Sequence, residues 1–154
     1  MKKSVKFILP LLVLVFLGGY AIYFRSSSVL SGYIDKVEFF DEDGFQDYTD
    51  YCKYIYDEDG AQKFYKSGKY HFVEKSEIDY LKGYFEHFEM CMESMGRSAE
   101  YDFDDKCISE GDYVYIKTKE GTPIGNSYYR KYDDYSVYLF DIESRTLYYI
   151  HNNI

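Results

Sequence analysis

From Phe7 to Phe24 the chain carries 18 consecutive residues with no charged side chain, bracketed by Lys2, Lys3 and Lys6 before it and Arg25 after it. At about 1.5 Å of rise per residue, a run of this length reaches the lower end of what crosses a bilayer as a helix. Pro10 falls in the first turn, where a missing N–H is tolerated. Gly18 and Gly19 are compatible with a membrane helix, and Tyr20 and Tyr23 sit where amphipathic rings meet the headgroups. The lysine excess ahead of the run places the amino terminus in the cytoplasm by the positive-inside rule. The pattern therefore predicts a cytoplasmic n-region over 1–6, a transmembrane signal-anchor over 7–25, a linker over 26–31 and a domain outside the membrane over 32–154. A cleaved secretory signal, giving a secreted domain, is the alternative. Gly19-Tyr20-Ala21 offers small residues at the offsets a cleavage site needs. The apolar run is longer than an ordinary h-region and continues past that cut, which favours the anchor.

Beyond the linker the pattern changes from continuous to periodic. Residues 32–40 alternate and predict a short strand, broken by Asp41-Glu42-Asp43-Gly44. Phe45, Tyr48, Cys52 and Ile55 recur at three and four residues, which predicts an amphipathic helix with Asp47, Asp50 and Lys53 opposite. A second Asp-Glu-Asp-Gly at 57–60 reads as a turn, with a single helical turn over 61–66 and a short extended segment over 69–73. Two copies of one tetrapeptide, without a third, do not make a solenoid. The clearest helix follows. Ser76 is a candidate N-cap with Asp79 three residues on, Ile78, Leu81, Phe85, Phe88 and Met92 form one stripe, and Gly96 supplies a stop. Residues 98–111 read as irregular and acidic. Tyr113 to Thr118 reads as a strand, 122–126 as a loop, and 135–140 with 147–150 as a hairpin. The whole predicts α+β: an N-terminal transmembrane helix, then a small domain in which a long amphipathic helix packs on an antiparallel β-meander. That arrangement resembles cystatin-like and NTF2-like extracytoplasmic domains in architecture, not in motif.

Charge narrows the partners. All 27 acidic residues lie after Arg25, against 14 Lys and Arg there, so this part carries 14 − 27 = −13. Phosphate backbones and anionic lipid surfaces would repel it; a cationic protein partner or ligand would not. The chain holds 21 Tyr and 12 Phe but no Trp, so rings must build most of the core. Any tyrosines left exposed would form an adhesive surface, because Tyr is enriched at binding hot spots. Tyr113, Tyr115, Tyr128, Tyr129, Tyr132 and Tyr135 are the candidates for such a partner-binding surface.

Reactive chemistry finds no constellation in the sequence. With Gly44 or Gly60 as the sixth residue of a calcium loop, the first position is Phe39 or Ile55 and the twelfth Asp50 or Lys66, so neither fits. His71, His87 and His151 share no ligand spacing, and no metal or cofactor is expected. His87 is expected to face solvent and His151 to lie in a frayed strand end. Cys52, Cys91 and Cys107 cannot all pair with one another. One bridge, Cys91 to Cys107, is open to an exported chain, but three small buried thiols are the preferred reading. The expectation is a single-pass membrane protein whose outer domain binds a protein partner or ligand without catalysis. The alternatives are a small immunity or toxin-neutralising protein and an enzyme of a class the sequence does not reveal.

Overall fold

A computed structural model of the chain describes residues 30–40, 48–118 and 134–153. The chain divides into two compact units, Met1–Gly32 and Tyr33–Ile154. The predicted membrane segment, the first Asp-Glu-Asp-Gly, the predicted loop over 122–126, and Tyr128, Tyr129 and Tyr132 lie outside the described residues. Among the described residues no helix is long and apolar enough to cross a membrane.

The second unit is α+β. Six strands, β1 (Asp35–Phe39), β2 (Tyr48–Ile55), β3 (His71–Phe72), β4 (Tyr113–Thr118), β5 (Asp134–Asp141) and β6 (Thr146–Asn153), form one antiparallel sheet in the order β1-β2-β6-β5-β4-β3. Strands β3, β4, β5 and β6 lie side by side in chain order, as in a meander. The β1–β2 hairpin joins through β2 onto β6, which places the last strand inside the sheet. The helices are α1 (Glu58–Lys66) and α2 (Ile78–Ser94).

The segment predicted as a helix from Phe45 to Ile55 is strand β2 over its described part. Tyr48 and Cys52 are four apart, a spacing that lies on one face of either a helix or a strand. Tyr51 and Tyr54 separate the two readings. Both are buried, at 0% and 2% exposure, on opposite faces of the sheet. A strand covered on both sides reads as apolar on both, and that masks its period of two.

Helix α2 lies across one face of the sheet. Leu81, Tyr84, Phe85, Phe88 and Met92 pack there against Tyr51, Val114, Ile116, Tyr135, Val137, Leu139 and Ile150. The stripe is the predicted one. Its start differs, because Glu74 and Glu77 form the capping box ahead of a 3₁₀ turn over Lys75–Glu77, in place of Ser76 and Asp79. Its end is a Schellman stop: Gly96 has φ of 72°, its N–H donates to Glu93 and that of Arg97 donates to Met92. His87, expected to face solvent, is half-buried and turned towards the sheet, its Nδ1 2.9 Å from the Tyr135 hydroxyl.

Helix α1 covers part of the opposite face. The second Asp-Glu-Asp-Gly is its beginning and not a turn: Asp57 is the N-cap, accepting from the Gly60 N–H at 2.8 Å, with Glu58 and Asp59 in the first turn. Phe64 stacks on Phe140 at 4.0 Å between ring centres and meets Tyr56 and Tyr70 edge-on. All three cysteines are free thiols, Cys52 and Cys91 buried and Cys107 half-buried.

Candidate functional site

The sheet face beneath α1 is ordered in rows by strand register. Tyr54, Leu147, Phe140 and Tyr113 are cross-strand neighbours and form an apolar row. Phe64 of α1 closes it. Two residues along each strand, Cys52, Tyr149, Tyr138 and Tyr115 form an aromatic row. Two further on, Asp50, His151, Ser136 and Lys117 form a polar one. Among the described residues α1 is the only helix on this side, and it reaches only the apolar row. Tyr138 and Tyr149 of the aromatic row and Lys117, Ser136 and His151 of the polar one line a groove of about 450 Å³, together with Tyr48, Thr118 and Asp134.

Its geometry is that of a shallow aromatic floor with charged walls. The rings of Tyr138 and Tyr149 lie 4.8 Å apart, and Tyr115 continues the row 5.6 Å beyond Tyr138. Tyr48 meets the imidazole of His151 edge-on at 4.9 Å. That imidazole is held between two carboxylates, with Nε2 at 3.3 Å from Asp134 and Nδ1 at 3.5 Å from Asp50. An imidazole flanked on both nitrogens is fixed in orientation. Burial pushes the hydroxyls of Tyr138 and Tyr149 above their ordinary range, so the floor stays neutral. Cys52, at the end of the aromatic row, is pushed up to about 12 by burial. It remains a protonated thiol at ordinary pH and a poor nucleophile. Among the described residues no group of His, Cys, Asp and Glu has the arrangement to hold a metal ion.

Of the six tyrosines singled out from sequence, the three among the described residues do not share one exposed surface. Tyr135 is fully buried under α2, its hydroxyl donating to the Tyr84 carbonyl at 3.3 Å. Tyr113 is buried beneath Tyr65 and Phe72. Tyr115 is half-buried at the end of the aromatic row, and the other three lie outside the described residues. What sequence reading missed was the alternation in β5 and β6. Residues 135, 137 and 139 face the helix, so 134, 136 and 138 must face away from it, together with 149 and 151 of the next strand.

No family model matches the chain, and neither the curated proteins nor the solved structures contain a match to it.

Proposed function

We propose that the chain is a membrane-anchored binding protein, held in the bilayer through residues 7–25, whose outer domain uses the groove to engage a basic segment of a partner protein without catalysis. The observation that carries the reading is the groove itself, where a floor of tyrosine rings is left open beside Asp134 and the Asp50–His151 pair. Ring faces and carboxylates together suit a guanidinium or ammonium group, which gains from both once water is displaced. Lys117 on the opposite wall can donate to a backbone carbonyl of the same segment. The formal charge of −13 after Arg25 steers a cationic partner towards the domain from a distance. Anchoring is supported by the uncharged run from Phe7 to Phe24 and its lysine flank.

The test uses the full chain in lipid nanodiscs, titrated with arginine-rich, neutral and acidic peptides by calorimetry. Saturable binding of the basic peptide alone is expected. Tyr149→Ala and Asp134→Asn should each weaken it by about tenfold, the scale of one hot-spot contact. Salt should weaken binding without abolishing it, because part of the contact is aromatic. Equal binding of all peptides, or unchanged affinity in both variants, would remove the groove as the site.

A further inference from the structure

Strand β1 is an end strand of the sheet, and its side chains are complementary to themselves. We propose that the chain dimerises by antiparallel pairing of β1 with β1 of a second copy, registered on Val37, so that two six-stranded sheets become one. Ile34, Val37 and Phe40 are 66%, 39% and 48% exposed, three apolar side chains within seven residues of one sheet edge. Among the described residues β1 is paired on one side only, with β2. Such an edge presents unpaired backbone donors and acceptors to any strand that approaches it.

A two-fold axis perpendicular to the sheet at Val37 sets the partners. On the groove side Ile34 meets Phe40 of the second copy, Lys36 meets Glu38, and the two mirror pairs repeat. On the helix side Val37 meets Val37. Centring the pair on Lys36 or on Glu38 would instead place like charges directly opposite, which is destabilising. Charges on an edge strand normally guard it against pairing. Here Lys36 and Glu38 already form an ion pair along one strand, and in this one register the same groups pair across two. An isologous contact of this kind closes on itself and leaves no free edge there to propagate a fibre.

A five-residue ladder buries less surface than a stable dimer in dilute solution needs. The proposal therefore rests, for its effective concentration, on the anchoring reading above, since two chains confined to one bilayer meet far more often than two in solution.

The experiment is cysteine crosslinking of the full chain in membranes of expressing cells, with the unsubstituted chain as background. Facing residues of an antiparallel pair have Cα atoms about 4.5–5.5 Å apart, within disulfide reach. Val37→Cys should give a covalent dimer on mild oxidation. Ile34→Cys and Phe40→Cys should each stay monomeric alone and crosslink only when the two chains are co-expressed. Adding Lys36→Glu to the Val37→Cys chain should lower the yield severalfold, and Lys36→Glu with Glu38→Lys should restore it. A monomeric Val37→Cys chain, or equal crosslinking at all three positions, overturns the proposal. Fractionation of the same cells reads the anchor separately. If the chain is found in the soluble fraction, anchoring fails, and pairing is then read on the purified full chain as crosslink yield against concentration, where no Val37-specific dimer at any concentration overturns it.

Discussion

Lys63 shows how one residue can carry a pH signature for a whole domain. Its ammonium lies 4.2 Å from the ring centre of Tyr56 and 5.1 Å from that of Phe64, over the apolar row that α1 closes. Burial lowers its pKa from 10.5 to about 8. Between those values the unfolded chain binds more proton than the folded one, so this group makes stability rise with pH across the window. Below about pH 8 the penalty of holding a charge there is fully present. Other groups oppose the rise. Burial pushes the thiols of Cys52 and Cys107 up to about 12, and raises the hydroxyls of Tyr56 and Tyr70, so each of these loses stability as pH rises. The clean measurement is therefore a difference: urea unfolding of the native chain and of Lys63→Met in parallel from pH 7 to pH 10.5. The native chain should gain on the variant steadily above pH 8. A difference that stays flat with pH would mean that Lys63 keeps an ordinary pKa in the folded protein.

At the scale of elements, the sheet face is divided by where one short helix begins. The Asp57 carboxylate accepts from the Gly60 N–H at 2.8 Å and satisfies one of the donors that every helix start leaves free. Asp57→Ala should cost about 1 kcal/mol of global stability. It should also loosen α1 first, so that protease cleavage near residues 58–66 rises before the rest of the domain unfolds; a loss spread evenly over the chain would argue against α1 as a separate cover. This helix was only half legible in the sequence. Ala61 to Lys66 reads as a turn of helix, but Asp-Glu-Asp-Gly is ambiguous between a tight turn and a capped helix start, and only the position of the following apolar residue decides. Helix α2 was legible almost to its last residue, because it buries one stripe and leaves the other face wet. Strand β2 was not, because it is buried on both faces and a period of two disappears when both sets are apolar. The groove shared that fate: its floor comes from β6 and β5, and its walls from β2 and β4. Pairing of β2 with β6 joins residues about a hundred apart in the chain, a contact that no local pattern reports.

For the domain as a whole, stability must fall from the centre of the sheet to its ends. Strands β6 and β5 each have a paired strand on both sides, and their helix-facing residues Val137, Leu139 and Ile150 are completely buried. Strand β3 is two residues long with both side chains exposed, and β1 has exposed residues at three of its five positions. Opening an edge strand exposes little apolar surface, whereas opening β5 or β6 dismantles the packing against α2 and leaves the buried Asn152 and Thr49 in a broken core. Binding at the groove draws on the rigid part, because Tyr138, Tyr149 and His151 all stand on the two central strands. Pairing at β1 draws on the compliant part, where two strands still have ladder partners to gain. Hydrogen–deuterium exchange followed by mass spectrometry should show this order in the full chain: amides of 136–140 and 147–151 slowest, those of 71–72 fastest. Those of 35–39 should be fast in dilute detergent and slower in crowded bilayers, where a second copy is available. Protection of 35–39 that is already as strong as that of 147–151 in dilute detergent would mean that the edge is covered by something other than a second β1.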